Sequence, residues 1–262
     1  MFSEKDHTFV LCAYKESEFL EACIISLMVQ TVKTNVLIAT STPNEHISSL
    51  AEKYNLEVFV NTGEKGIAGD WNFAISCAKT ELITVAHQDD IYEPDYAEKM
   101  ISAANSVNEP IICFSFYAEL RDNKKVYSNK LLNVKKLMLS PLKVFKKSRF
   151  VRRRVLSLGC PICCPAVTYT KKFIDAHPFK AGFKSDLDWQ QWEILSRENG
   201  SFVYVPEPLM CHRIHEESAT TEIIGDNLRS KEDLEMFEKF WCSPVAKLIS
   251  KMYASSEKSN KL

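Results

Sequence analysis

The chain has 262 residues, of which 33 are Lys or Arg and 34 are Asp or Glu, a formal net charge of −1. That balance excludes a uniformly basic nucleic-acid binder and an acidic solvating tail, so no nucleic-acid partner is expected. With 45% hydrophobic and 11% aromatic residues but only 7 Gly and 10 Pro, the chain can bury a sizeable core and is neither collagen-like nor linker-rich.

The opening MFSEKDHTFV is charged before it is apolar, so no signal peptide is expected. No run approaches the ~18–20 apolar residues of a membrane span, and a cytoplasmic location is expected. The first 120 residues then alternate. TFVLCAY (8–14), NVLIAT (35–40), LEVFV (56–60), ELITVA (81–86) and IICFSFY (111–117) read as strands. Residues 18–31, 44–54, 66–79 and 93–107 between them read as helices. In the first helix Phe19, Leu20, Cys23, Ile24, Leu27 and Met28 form one apolar stripe. Strand–helix alternation at this spacing predicts an α/β fold with a mainly parallel sheet, whose ligands bind at the strands' carboxyl ends.

The second half is less regular. Residues 130–158 predict one or two basic amphipathic helices, with Pro141 starting a new one. CCPAVTYT (163–170) reads as a strand, 186–198 as a helix with Trp189, Trp192 and Leu195 on one stripe, and SFVYVPEP (201–208) as a strand ending at its prolines. Residues 225–254 predict two helices broken at Ser243-Pro244, followed by a frayed tail.

Charge is unevenly placed. Between Asp122 and Asp175 there are 14 Lys or Arg and no acid, which leaves 19 basic and 34 acidic residues elsewhere, a net of −15. The block 124–154 reads either as attraction to an anionic membrane surface or as a solvated helical face whose leucines pack on the core. The nine cysteines are scattered, as expected of small core residues in a reducing compartment. Cys160, Cys163 and Cys164, with Cys211-His212 further on, give a weak zinc spacing.

Three places can carry chemistry. His87-Gln88-Asp89-Asp90 closes the fourth strand. Adjacent carboxylates raise each other's pKa, a cost that a hard divalent cation removes; a helix N-terminus is the alternative use. Asp186 and Asp188 open the Trp189 helix, either as helix caps or, with aromatic neighbours and partial burial, as a general base. Arg213 and His215 fall on one side of an extended chain, where they can serve phosphate or metal, or act structurally. Walker, G-x-G-x-x-G, G-x-S-x-G and H-E-x-x-H patterns are missing.

Together these segments resemble the family 2 nucleotide-sugar glycosyltransferases. AYKESEFLEACIISLMVQT (13–31) is similar to the family's opening segment, NFAISCAKTELITVAHQDD (72–90) to the segment ending in D-x-D-D, and LDWQQWEILSRENGSFVYVPEPLMCHRIHEESAT (187–220) to the acceptor-side segment closing in R-I-H-x-x-S. The resemblance implies a GT-A fold: a Rossmann-like, mainly parallel sheet flanked by helices, here with a C-terminal helical extension. It implies a domain over 1–221, made of a nucleotide-binding half (1–120), a basic insert (123–158) and an acceptor-side half (159–221), with 222–262 as C-terminal helices and tail.

The implied activity is inverting transfer of a sugar from a nucleotide-diphosphate donor, a UDP-sugar being favoured, to a glycan or lipid-linked acceptor in surface polysaccharide synthesis. Asp89, Asp90 and His215 are the implied ligands of Mn²⁺ or Mg²⁺, and Asp188, with Asp186 beside it, is the implied base. Ala13, Tyr14, Glu16, Thr40, Asp70, Asn72, His87, Gln88 and Arg213 are the implied donor contacts. Four positions depart from the family pattern. His87 replaces the first Asp of D-x-D, Thr40-Ser41-Thr42-Pro43 replaces V-D-D-G, Leu187 replaces the Glu of E-D, and Trp71 replaces the Arg of A-R-N. A noncatalytic scaffold that binds a polyanion or membrane is the rival reading. The lipid-linked acceptor makes a peripheral position on the inner face of the plasma membrane natural.

Overall fold

The structure, a computed structural model, describes residues 1–215 and 228–258. Its centre is a nine-stranded sheet in the order β3-β2-β1-β4-β8-β6-β9-β5, with β7 paired to β6. The strands are β1 (His7–Ala13), β2 (Asn35–Thr40), β3 (Glu57–Val60), β4 (Leu82–His87), β5 (Ile91–Tyr92), β6 (Pro110–Arg121), β7 (Lys124–Val126), β8 (Val167–Thr170) and β9 (Ser201–Arg213).

β1 pairs in parallel with β2 and β4, β2 with β3, and β6 with β9. β8 runs antiparallel between β4 and β6, so those two share a direction. The carboxyl ends of β1, β2, β3, β4, β6 and β9 therefore open on one edge. Burial along β1 and β6 is nearly continuous because helices cover both faces, which is why these strands read as unbroken apolar runs.

Helices α1 (Leu20–Met28), α2 (Glu45–Tyr54), α3 (Ile67–Cys77) and α4 (Tyr96–Asn105) connect the first five long strands. Side-chain caps fix several helix starts. Asn44 accepts from Ile47 N at 2.9 Å, and the left-handed Asn55 closes α2. α3 carries a tight spot at Gly69, where a Cβ would lie 2.3 Å from the Glu64 carbonyl oxygen. Gly69→Ala is expected to displace that loop and lower stability by about 1–3 kcal/mol, read from urea unfolding.

The basic segment folds as α5 (Lys130–Leu139), a 3₁₀ turn at Ser140–Lys143 containing Pro141, and α6 (Arg149–Leu156). Leu132, Leu139, Leu142, Val155 and Leu156 are buried in the core, so half of this amphipathic pattern is ordinary packing. α7 (Lys171–Ala176) and α8 (Leu187–Leu195) follow, with Trp189, Trp192 and Leu195 fully buried. α9 (Leu228–Glu238) and α10 (Ser243–Lys258) fold back onto this half: Phe237 packs edge-on to Trp189, and Trp241 Nε1 donates to Ser157 O at 2.8 Å. Among the described residues no helix is long and apolar enough to cross a membrane. The expected boundary at 221 lies outside them.

Three strands differ from expectation, the first being β6, which runs from Pro110 to Arg121 rather than 111–117. The run 163–170 is a strand only from Val167, because Pro165 lacks an N–H and Cys164–Ala166 turn as a 3₁₀ segment. β9 does not end at its prolines. Its register against β6 jumps from Ser115↔Val205 to Phe116↔Pro208, and this bulge absorbs Pro206 and lets the strand continue to Arg213. The extension carries Cys211, His212 and Arg213 back to the end of β4. There β5, absent from the sequence reading, pins Ile91 against Cys211.

Candidate active site

At the end of β4, His87, Asp89 and Asp90 bring one ligand atom each within 4.8 Å of one another. Asp90 is fully buried. Its Oδ1 accepts from Arg213 N at 2.9 Å and lies 3.0 Å from His212 Nδ1. Asp90 Oδ2 and His87 Nε2 are buried and make no hydrogen bond in the structure. Asp90 Oδ2 faces the other ring nitrogen, His87 Nδ1, at 4.0 Å. A buried carboxylate oxygen beside an imidazole, with a second carboxylate within reach, is a donor set that fits a divalent cation.

Asp89 Oδ2 lies 3.0 Å from His215 Nε2. Burial works to raise the Asp89 pKa, but the hydrogen bond with His215 and the adjacent His87 and His212 rings outweigh it and hold the carboxyl at about 2. Burial keeps His87 below the usual imidazole range, despite the neighbouring acids. The structure thus groups His87 with the two aspartates, and His215 meets the Asp89 carboxylate. Arg213 is 7% exposed; its Nε donates to Asp89 O at 2.8 Å, one η nitrogen donates to Asn123 Oδ1, and its guanidinium lies 4.2 Å from the centre of the Phe19 ring. It braces the Asp89–Asp90 turn.

The other strand ends assemble around this turn. Gln88 clamps the backbone of Tyr14, accepting from its N at 2.9 Å and donating to its O at 3.0 Å. Ala13 is buried, whereas Tyr14 and Glu16 are exposed beyond β1. Thr40 is buried at the end of β2, and its hydroxyl accepts from Thr42 N. Ser41 donates to Asp70 at 3.0 Å, and Asn61 donates to the same carboxylate at 2.8 Å. The loop after β2 has no acid of its own; α3 brings it one. Asn72 is fully engaged by the backbone of Phe179, donating to its O and accepting from its N, both at 2.8 Å. Trp71 stacks on His87 at 5.1 Å.

Asp186 and Asp188 separate in environment. Asp188 is half-buried beside Cys160, whose Sγ lies 3.8 Å from Asp188 Oδ2, and its other oxygen accepts from Trp189 N. Burial raises its pKa above the usual carboxylate range. Burial pushes the Cys163 thiol up, and the charges of Asp90 and Asp188 both add to that shift. Asp186 instead turns toward α9. Burial, then Asp233 and Asp188, push its pKa up to about 9.

The loop before α8 is anchored by Glu232 of α9. Its carboxylate accepts from Lys184 N (2.9 Å), Ser185 N (2.7 Å) and Asp186 N (3.1 Å). Glu232→Ala strands these N–H groups and is expected to cost at least about 1–3 kcal/mol in urea unfolding, with a matching loss of order around Asp188.

Sequence reasoning did not single out Lys135, Cys160, Cys163, His212 or Glu232 as parts of this site. Lys135 leaves the basic segment to donate to Tyr117 OH at 2.9 Å, and its charge acts on Asp188. The cysteines stood out only as a zinc spacing. Cys211 instead approaches Glu93 while His212 approaches Asp90, and burial keeps the thiols at 160, 163 and 164 protonated. Glu232 left no signal, since nothing local marks an acid that will cap a loop 46 residues away.

The sequence model described as Glycosyl transferase family 2 matches residues 8–177. The chain belongs to glycosyltransferase family 2. The match covers β1 to α7 and includes His87, Asp89 and Asp90, whereas Asp188 and β9 lie beyond it. No curated protein sequence matches the chain. Among solved structures, S. aureus TarS aligns with a TM-score of 0.61 and 13% identity over 93% of this chain, which spans 42% of the TarS chain. S. aureus TarS 1-349 in complex with UDP-GlcNAc gives 0.63 and 12%, covering 98% of this chain and 73% of that one. The mannosyltransferase PcManGT from Pyrobaculum calidifontis, in complex with GDP-Man and Mn²⁺, gives 0.63 and 11%, covering 98% and 76%. At these identities the likeness is one of fold, and that fold is GT-A.

Proposed function

We propose that this family 2 member transfers a sugar, with inversion, from a nucleotide-diphosphate donor to a hydroxyl of a glycan or lipid-linked glycan, in the synthesis of a surface polysaccharide. The observation that carries the reading is the His87–Asp89–Asp90 cluster at the carboxyl end of β4, in which Asp90 Oδ2 and His87 Nε2 are buried without a hydrogen bond.

Asp188 accepts the proton of the acceptor hydroxyl as that oxygen bonds to the anomeric carbon. The bond from that carbon to the donor phosphate oxygen breaks on the opposite face, and the nucleoside diphosphate leaves with the electron pair. One such displacement inverts the centre. Asp89, Asp90 and His87 would hold Mn²⁺ or Mg²⁺, whose charge, when bound, offsets that of the departing diphosphate. The raised pKa of Asp188 suits a base that must take a proton in a dry site.

The resemblance favours UDP; Asp70, held by Ser41 and Asn61 at the loop after β2, could accept from a ring N–H of uracil or guanine alike. TarS, in complex with UDP-GlcNAc, and PcManGT, in complex with GDP-Man and Mn²⁺, support a nucleotide-sugar donor without choosing between bases. Thermal shift and calorimetry with UDP, GDP and their sugars, with and without Mn²⁺, test the reading. Metal-dependent binding of UDP donors is expected. If no nucleotide sugar binds with or without Mn²⁺, the chain is a scaffold rather than a transferase.

A further inference from the structure

The fold uses many of the 14 cations between 123 and 174 internally. Arg152 is buried and donates to the carbonyls of Ser196 and Gly200, Arg153 pairs with Glu193, Lys125 with Glu93, and Lys172 with Glu109. Lys130, Lys143 and Lys147 instead stand exposed, with no acid partner among the described residues. Between them the same segment projects Leu137, Val144 and Phe150, which are 73%, 76% and 71% exposed. Lys130 and Leu137 are two turns apart on one side of α5. Beside Leu137 runs a groove of about 430 Å³ between α5 and α6, lined by Leu137, Pro141, Phe150, Val155 and Leu158 with Arg154, whereas Val144 and Lys147 line a separate hollow with Glu109 and Glu198.

We infer that this α5–α6 face docks on an anionic lipid bilayer, with the exposed apolar side chains entering the acyl boundary and the lysines meeting headgroup phosphates. Large apolar side chains clustered on a surface mark an interaction site. The charge decides what kind. A symmetric pair of copies would set this cationic face against itself, with no acid between Asp122 and Asp175 to compensate. The aliphatic and phenyl groups in the groove match hydrocarbon, and Arg154 in its lining, with the exposed lysines of the same segment, matches an anionic surface. The inference does not depend on catalysis.

Flotation of the full chain with vesicles tests it. Binding is expected to vesicles of mixed phosphatidylcholine and phosphatidylglycerol, not to phosphatidylcholine alone, and to weaken as salt rises. Leu137→Glu/Phe150→Glu and Lys130→Glu/Lys143→Glu are each expected to weaken it roughly tenfold or more. These positions are exposed, so an unchanged circular dichroism spectrum and melting temperature should accompany the loss. Three results would overturn the inference: no binding to anionic vesicles at low salt, binding by both variants equal to that of the wild type, or a wild-type dimer in sedimentation velocity that Leu137→Glu/Phe150→Glu splits while vesicles go unbound.

Discussion

Asp188→Asn is expected to lower turnover by ~10²–10⁴-fold while donor affinity stays near that of the wild type. The amide keeps the shape of the side chain and its contact with Trp189 N, but it cannot take the acceptor proton. The pH profile gives a second reading. Only ionised Asp188 is a base, so the wild-type rate should rise with pH through a carboxyl pKa displaced upward by burial, and the variant should lose that limb. Asp186→Asn is the control. With its pKa near 9, Asp186 is protonated at neutral pH and already resembles an amide, so its replacement should spare most activity. The sign for stability follows from the same shift. A carboxyl raised from the usual range to about 9 in the fold costs stability progressively from about pH 4 to about pH 9, and Asp186→Asn removes that cost. At pH 8 the variant should melt at or above the wild-type temperature. If Asp186→Asn is inactive and Asp188→Asn is active, the assignment of the base is reversed.

Asp89→Ala is expected to abolish the stimulation of donor binding by Mn²⁺. It removes a carboxylate that is ionised down to about pH 2 and leaves Asp90 and His87 without their third member. The loss should exceed the ~10–100-fold that follows removal of a group behind a metal ligand. Calorimetric titration of UDP with Mn²⁺ and with excess chelator should differ for the wild type and coincide for the variant. His87→Ala is expected to resemble Asp89→Ala if the imidazole belongs to the donor set. If the His87 variant alone keeps full metal stimulation, the two aspartates suffice and His87 acts through its stack with Trp71.

The strands of the first half were legible because each is a short apolar run between helical patterns, and parallel pairing made their carboxyl ends the place to look. Asp89, Asp90 and Asp188 were legible as acids at strand and helix ends. The roles of their neighbours were not. Asp90 depends on His212 and Arg213, which reach it only because β9 bulges past Pro206 and continues; prolines in sequence mark a stop, and only the pairing with β6 shows the continuation. Asp186 and Asp188 looked equivalent as candidate caps. The cover of α9, with Glu232 and Asp233, distinguishes them, and that helix packs from more than 40 residues away. The basic block likewise read as one feature until burial separated the cations that hold the fold from those that face outward.

The most direct test of glycosyl transfer is release of nucleoside diphosphate from a panel of UDP- and GDP-sugars by the full chain with Mn²⁺, run beside Asp188→Asn. Metal-dependent release from at least one donor, lost in Asp188→Asn and retained in Asp186→Asn, is the predicted result. Release from no donor, or equal release by the wild type and Asp188→Asn, would contradict it.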